Sequence, residues 1–338
     1  MANYREQKDI EYEKNYRRYT EKLPEFYNRF CSTTVRATSR ATYAYNVYDF
    51  FEYLVTNNPA LQRGKDKNQW IKNVTLDDLT KLTQLDAAEY MRYLQQKYAT
   101  TTVNAKLNAI STFYLNLYQL GQIEKSPFLK IQRPKNGAKK TIIHLAHEEQ
   151  DAFMDAIKTG KGLTNKELKL QDVTRDLAIF TLFLDTGLRI SELVGIDVSD
   201  IDFYEHSINI VRKGRASDNI FMSDLAEERI REYMQERQFK LNIRSKKCDA
   251  LFLNEKLERL SVKSIQNLTK RYKTLAGIDK KISPHKLRAT FAMDFIEEVP
   301  DLMLLQDAMG HANPATTEVY ARASKQRQKA ARNFRETK

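Results

Sequence analysis

Glycine and proline, the residues that most often interrupt helices, are scarce in this chain. They number 10 and 7 among 338 residues. Over residues 20–120, apolar side chains recur at helical spacing instead. In ATYAYNVYDFFEYLVTN, for example, Tyr43, Val47 and Leu54 fall on one face of a helix. The sequence is therefore predicted to fold mainly as α-helices.

One segment, residues 198–223, departs from this helical pattern. It alternates apolar and polar residues around the turn KGRASDN, with Ile208 and Ile210 before the turn and Ile220 and Met222 after it. This alternation predicts a β-hairpin in a small antiparallel sheet. The sequence shows neither βαβ alternation nor a glycine-rich phosphate loop, so nucleotide hydrolysis is not indicated. The predicted fold class is mainly α with a small antiparallel β-sheet in the C-terminal part.

The positive charge is concentrated in the first part of the chain. The whole chain carries a formal net charge of +12, of which residues 1–140 contribute +9 and residues 141–338 contribute +3. A basic region beside a nearly balanced one indicates that the first part binds a polyanion, with nucleic acid as the leading candidate. A basic ribosome-associated or membrane-surface protein would show the same bulk charge.

A basic segment separates the helical first part from the rest. The stretch EKSPFLKIQRPKNGAKKT contains two prolines and a glycine, and no acidic residue occurs from 125 to 147. We expect an extended linker over residues 122–142, although a solvated loop without a binding role has the same composition. Five of its basic residues are predicted DNA contacts: Lys130, Arg133, Lys135, Lys139 and Lys140.

Cysteine and histidine usage argues against several classes of protein. Cys31 and Cys248 are far apart in sequence, which fits a reducing cytoplasm and gives no disulfide framework. The five histidines occur without cysteine clusters, so no structural zinc site is expected. No apolar run reaches the length of a transmembrane helix. The sequence therefore predicts a cytoplasmic protein with no metal, no cofactor and no membrane partner.

Four short stretches in the second part carry residues suited to chemistry. They are TGLRISEL, VRKGRASDN, SPHKLRATFA and GHANPATTEVY. Each alone has a plainer interpretation, such as a surface ion pair, an exposed turn lysine, a helix start or a core aromatic residue. Their candidate residues are Arg189 with Glu192, Lys213, His285 with Arg288, and His311 with Tyr320.

Together these residue types supply what phosphodiester cleavage without a metal ion requires. Two arginines can hold a phosphate through forked hydrogen bonds and stabilise charge on the five-coordinate phosphorus. A tyrosine can act as a covalent nucleophile, and a histidine can accept its proton. A lysine can protonate the leaving oxygen. No cluster of acidic residues indicates a two-metal nuclease.

In their order and spacing these residues resemble the signature of the tyrosine recombinase (phage integrase) family. From Arg189 to Tyr320, the six polar positions follow one another at intervals of 24, 72, 3, 23 and 9 residues. The resemblance implies that Tyr320 attacks the scissile phosphate and forms a 3′-phosphotyrosine. The other implied roles are phosphate binding by Arg189 and Arg288, general-acid catalysis by Lys213, proton transfer by His285, a phosphate hydrogen bond from His311, and support of Arg189 by Glu192.

The resemblance also implies an architecture and partners. A C-shaped clamp of two domains would enclose double-stranded DNA at an inverted-repeat site, and four protomers would exchange strands between two sites through a Holliday junction. Arg212 and Arg215, on either side of Lys213, are further predicted DNA contacts. The expected divisions are a helical core-binding domain (1–121), the basic linker (122–142), the catalytic domain (143–320) and a basic tail that docks on a neighbouring protomer (321–338).

Three alternatives remain open from the sequence. The chain resembles both an Xer-like recombinase and a compact mobile-element integrase, so resolution of chromosome dimers and movement of an element are equally compatible. A type IB topoisomerase would use the same chemistry without a defined site. A non-catalytic DNA-binding protein on the same fold would bind DNA without cleaving it. For the enzyme, a cytoplasmic, nucleoid-associated location is expected.

Overall fold

The structure is a computed structural model that describes residues 4–27, 37–135, 142–160, 162–164, 172–212, 217–310, 317 and 319–320. The chain divides into two compact units, Met1–Lys140 and Thr141–Lys338. Helices dominate both units, and three short strands form one antiparallel sheet in the second, so the predicted fold class is confirmed. In the described ranges, no helix combines the length and apolar character needed to cross a membrane.

In its described residues, the first unit consists of helices and connecting turns, without a strand. Threonine side chains begin two of its helices: Thr75 and Thr83 each accept a backbone hydrogen bond, and Asp78 and Asp86 bond back to the threonine backbone. The helices are α1 (Tyr4–Thr20), α2 (Ala37–Asn57), α3 (Lys67–Lys72), α4 (Leu76–Thr80), α5 (Gln84–Lys97) and α6 (Thr100–Gln119), with a 3-10 turn at Pro59–Leu61.

Aromatic side chains form the centre of the core of this unit. Phe50 of α2 lies with its ring centroid 4.8 Å from that of Tyr90 of α5, in an edge-to-face arrangement. Phe113 and Tyr114 of α6 are also fully buried in the same cluster. Edge-to-face packing of this kind adds to the stabilisation from buried area. Many of the tyrosines of the first unit therefore serve its core.

Much of the segment predicted as a linker packs on the first unit. Phe128 is buried 5.6 Å from Phe50, measured between ring centroids. Arg133 donates hydrogen bonds to Asn108 and Ser111 of α6. The division between the two units falls after Lys140. The apolar residues of this segment thus extend the first fold beyond the expected boundary at residue 121.

The second unit is organised around one apolar helix, α8 (Val173–Thr186), which contacts α7, α10 and α12. Its residues from Leu177 to Phe183 are all buried, as its apolar sequence predicts. The other elements are α7 (His147–Thr159), α9 (Ile190–Gly195), a 3-10 turn (Val198–Asp200), β1 (Ile201–Asp202), β2 (Ser207–Val211), β3 (Ser217–Phe221), α10 (Asp224–Ile243), α11 (Val262–Leu275), α12 (Pro284–Glu298) and α13 (Leu302–Met309).

The predicted hairpin is present as strands β2 and β3. Ile208 pairs with Ile220 in antiparallel register, and both side chains are buried, as is Ile210. The alternation of apolar and polar residues therefore predicted correctly which side chains of the hairpin face the core. The tip of the hairpin, residues 213–216, lies outside the described residues.

Helices α8 and α13 both end in a glycine with a left-handed backbone. Gly187 follows α8 with φ 59°, and Gly310 follows α13 with φ 57°. A Cβ atom on Gly187 would lie 2.3 Å from a ring carbon of Phe291, and one on Gly310 would lie 1.5 Å from Nη1 of Arg212. Glycine is needed at both positions because of the backbone conformation and the closeness of these side chains.

Candidate active site

Arg288 connects the ends of the two glycine-terminated helices. It lies in the first turns of α12, which begins at Pro284 after Ser283, as the sequence predicts. The side chain is 4% exposed. Its Nη1 donates to the carbonyl of Gly187, and its Nη2 donates to the carbonyl of Met309 at 2.5 Å. Carbonyl groups at helix C-termini carry partial negative charge, so they stabilise this buried cation.

The positive charge of Arg288 survives its burial. Desolvation, together with the nearby charge of Arg189, lowers the pKa of Arg288 to about 10, and the carboxylate of Glu192 opposes this effect. A group with this pKa remains protonated at neutral pH. The site therefore keeps a desolvated guanidinium, and hydrogen bonds from desolvated cations to phosphate are strong.

Arg189 lies just beyond the end of α8 and starts α9. Its backbone N–H and its Nη1 both donate to Glu192, at 2.8 and 2.7 Å from the nearest carboxylate oxygens. Its Nη2 donates to the carbonyl of Gly310 at 3.2 Å. The side chain of Glu192 is 6% exposed and that of Arg189 is 34% exposed. The pair predicted from the sequence thus exists, and it leaves part of Arg189 open to solvent.

Tyr320 is half-buried against helices α12 and α13. It packs against an apolar cluster that includes Ile296, Leu305 and Met309. Burial raises the pKa of its hydroxyl above the ordinary value, and the positive charge of Arg288 acts in the opposite direction. The hydroxyl is therefore protonated at neutral pH and lies within the electrostatic reach of Arg288. It can act as a nucleophile once its proton is removed.

His285 lies in the first turn of α12, one turn before Arg288, and its side chain is exposed. Partial desolvation, followed by the charges of Lys286, Arg288 and Arg189, lowers the pKa of its imidazole below the ordinary value. The ring is consequently neutral at neutral pH. A neutral imidazole can accept a proton, as the role expected for His285 requires.

Arg212 has a different place from the one expected of a DNA contact. Its side chain is 4% exposed, and its two Nη atoms donate to the carbonyls of Asp307 at 3.3 Å and Ala308 at 2.9 Å. Its Nε lies 2.7 Å from a carboxylate oxygen of Asp218. These partners keep the guanidinium turned into the protein. The prediction that Arg212 contacts DNA is therefore corrected. The basic hairpin sequence could not show that this side chain meets a helix end.

Only some of the remaining predicted residues are described. Lys130, Arg133 and Lys135 are exposed on the first unit. Among the described residues, no group of three or more His, Cys, Asp or Glu side chains is placed to hold a metal ion. The predicted residues outside the described part of the chain are Lys139, Lys140, Lys213, Arg215 and His311.

The sequence did not reveal the backbone groups that hold the arginines. The carbonyls of Gly187, Met309 and Gly310 each accept a guanidinium hydrogen bond. The one signal for them is the glycine after each apolar helix, which predicts a helix end but not the arginine that reaches it.

The chain is similar to known recombinases over most of its length. The model of the phage integrase family matches residues 144–327. The tyrosine recombinase XerC of Caldanaerobacter subterraneus subsp. tengcongensis is 32% identical over 317 residues, covering 90% of this chain and 83% of the relative. The tyrosine recombinase XerD of Oceanobacillus iheyensis is 29% identical over 295 residues, covering 84% of this chain and 96% of the relative.

Solved structures share the fold. The XerH site-specific recombinase bound to a palindromic difH substrate, a post-cleavage complex, aligns with a TM-score of 0.68 and 22% identity. The alignment covers 89% of this chain and 81% of XerH. The Tn1549 transposon integrase in complex with circular intermediate DNA aligns with a TM-score of 0.58 and 18% identity. That alignment covers 80% of this chain and 94% of the integrase chain.

Proposed function

The chain belongs to the phage integrase family and is a tyrosine recombinase, an enzyme that cleaves and rejoins DNA, and we propose how its residues do so. The proposed reaction is site-specific recombination. One observation carries the proposal. The guanidinium groups of Arg288 and Arg189 are held on the neighbouring carbonyls of Met309 and Gly310, and Tyr320 packs against the apolar cluster of α12 and α13 that includes Met309. One phosphate at this helix end would meet both cations and the nucleophile.

In the proposed reaction, the hydroxyl oxygen of Tyr320 attacks the scissile phosphorus. The P–O bond to the 5′ oxygen breaks, and the 3′ phosphate remains on the tyrosine. Neutral His285 assists removal of the tyrosine proton, and Lys213 is proposed to give a proton to the 5′ oxygen. Arg189 and Arg288 stabilise the charge on the five-coordinate phosphorus, with a further hydrogen bond from His311.

Rejoining is the same reaction in reverse. A 5′-hydroxyl, from the same or the partner duplex, attacks the phosphotyrosine, and Tyr320 leaves. Because the phosphoester bond is exchanged rather than hydrolysed, the reaction needs no external energy. Glu192 supports this chemistry without reacting, since it fixes both the backbone and the side chain of Arg189.

The proposed partners are double-stranded DNA with an inverted-repeat site and further copies of this chain. Phosphate contacts by the first unit are supported by the exposure of Lys130, Arg133 and Lys135. We propose phosphate contacts for three more residues, Lys139 and Lys140 of the first unit and Arg215 of the second. The XerH and Tn1549 integrase structures are complexes with DNA, which supports a DNA substrate for this chain.

The assembly and the cellular setting are proposed as well. Four protomers would act on two sites through a Holliday junction, in a cytoplasmic, nucleoid-associated complex, with residues 321–338 docked on a neighbour. The C-shaped clamp stays a prediction. The Xer relatives support an Xer-like recombinase, and chromosome-dimer resolution and element movement would use the same strand exchange.

Covalent trapping tests the proposed function. The protein is mixed with sheared genomic DNA of its host, the reaction is quenched with SDS, and the DNA ends in the adducts are sequenced. Tyr320→Phe is the control. We expect adducts at one inverted-repeat site, absent from the control and still formed in EDTA. Adducts with Tyr320→Phe, or a strict need for a metal ion, would contradict the proposal. Scattered adducts would instead indicate topoisomerase activity.

A further inference from the structure

Four consecutive carbonyl groups at the end of α13 are bound by three arginine side chains from different parts of the second unit. The arginines follow β2, follow α8 and lie in α12. The pairs are Arg212 with Asp307 at 3.3 Å and Ala308 at 2.9 Å, Arg288 with Met309 at 2.5 Å, and Arg189 with Gly310 at 3.2 Å.

The carbonyls at a helix C-terminus are the groups that need such partners. The last carbonyls of an α-helix have no intrahelical hydrogen-bond donor, and they form the negative end of the helix dipole. In α13 the N–H of Gly310 reaches back to Asp307 at 2.9 Å, and the arginines bind the same turn from outside. Each arginine bound here therefore helps to fix the direction of this turn.

Arg212 is held by protein partners at all three of its guanidinium nitrogens. It is buried, and its charge is paired with Asp218 of β3. Its Nη1 occupies the place where a Cβ atom of residue 310 would lie, so Gly310 and Arg212 fit against each other. The side chain therefore connects the end of β2 to the last turn of α13.

We propose that Arg212 is a positioning residue for strand cleavage. By binding the carbonyls of residues 307 and 308, it fixes the turn whose next two carbonyls hold Arg288 and Arg189. A loosened turn would let both guanidinium groups move relative to the scissile phosphate. The inference rests on the proposed phosphate-binding roles of Arg189 and Arg288, and it adds a residue that acts through them without touching DNA.

The first measurement compares Arg212→Met with a matched buried arginine. Arg237 of α10 is also buried, and it donates to the carbonyls of Ala250 and Leu251, so Arg237→Met removes a similar set of bonds from another segment. Single-turnover adduct formation is measured on the site found by trapping, at a temperature where circular dichroism shows both variants folded. We expect cleavage to slow by about tenfold to a hundredfold in Arg212→Met. Arg237→Met should stay close to the unchanged protein.

A second substrate separates positioning from a general loss of structure. In a methylphosphonate, a methyl group replaces one non-bridging oxygen of the scissile phosphate and removes its negative charge. Stabilisation by the two guanidinium groups then matters much less. We expect the fold loss caused by Arg212→Met to be clearly smaller on this neutral substrate, and Arg212→Lys to recover part of the rate on the ordinary phosphodiester.

The outcomes distinguish this inference from the proposed function. If the unchanged protein forms no adduct, or if Tyr320→Phe forms one, the proposed function fails. If the unchanged protein cleaves normally and Arg212→Met cleaves as fast as Arg237→Met, the inference about Arg212 is overturned alone. The same holds if Arg212→Met loses an equal factor on the charged and the neutral substrate.

Discussion

Individual residues of the candidate site have protonation states that suit the direction of proton transfer. Burial raises the pKa of Tyr320, so its hydroxyl carries a proton at neutral pH. Desolvation and nearby cations lower the pKa of His285, so its imidazole is free to accept one. Arg288 remains a cation with a pKa of about 10. A protonated nucleophile, a neutral acceptor and a fixed cation thus occur in one site before DNA binds.

The lowered pKa of His285 gives a pH prediction. The active form of a proton acceptor is the neutral one, and a pKa below 6.5 keeps His285 neutral to lower pH than an ordinary histidine. Single-turnover cleavage at subsaturating protein, measured from about pH 5 to about pH 8, should therefore have its acid midpoint below pH 6.5. His285→Ala should cleave slowly and lose this acid limb.

A histidine outside the site provides the control for that profile. His206 is exposed and contacts Glu227, and His206→Ala should leave the pH profile unchanged. An inflection at or above pH 6.5 in the unchanged protein would contradict the assigned state of His285. So would an acid limb that persists in His285→Ala.

At the scale of elements, the site is built where two helix C-termini receive the same arginine. Helices α8 and α13 end at Gly187 and Gly310, and Arg288 spans the carbonyls of Gly187 and Met309. The partial negative charge of both helix ends offsets the cost of burying a cation beside other cations. Through this arrangement, Arg288 joins α8 and α13, which are far apart in the chain. The geometry of the site therefore depends on how α12 packs.

Substitution of Gly187 tests this packing. In Gly187→Ala, the left-handed backbone costs about 1–2 kcal/mol of unfolding free energy, and the overlap with Phe291 costs about 1–3 kcal/mol more. Gly277→Ala is the matched control, because Gly277 has φ 67° but open space around the new Cβ atom. Urea unfolding should show a clearly larger loss for Gly187→Ala. Equal losses would mean that the contact with Phe291 does not constrain the end of α8.

At the scale of the whole molecule, positive charge and chemistry lie in different units. Residues 1–140 carry +9 of the net charge, whereas the candidate active site lies in the second unit. Exposed Lys130, Arg133 and Lys135 follow the buried Phe128 near the end of the first unit. This division is what a protein needs if one part provides affinity for the DNA backbone and the other cleaves it.

The salt dependence of DNA binding tests this division. Replacing Lys130, Arg133 and Lys135 together with glutamine should lower the slope of log affinity against log salt by about 0.9 for each lost phosphate contact. The matched control replaces three exposed lysines of the second unit, Lys246, Lys247 and Lys256. Fluorescence anisotropy with duplex DNA over a range of salt concentrations measures both. An equal change of slope in the two variants would contradict a binding role specific to the first unit.

Features that are local in the sequence could be predicted, and those that depend on distant contacts could not. The end of α8 at Gly187 and the Arg189–Glu192 pair involve residues within a few positions of one another. Arg212, in contrast, binds a carbonyl 96 positions away, which no local pattern encodes. Phe128 was hidden for a similar reason, since an apolar residue in a basic segment shows no periodicity that reveals its partner.

The most direct test of the central claim is to identify the amino acid that carries the DNA. Trapped adducts are digested with nuclease and protease, and the peptide bearing the remaining nucleotide is sequenced by mass spectrometry. The chain contains 18 tyrosines. The account predicts that Tyr320 alone carries the nucleotide, through its 3′ phosphate. A nucleotide on any other residue, or one linked through its 5′ phosphate, would contradict it.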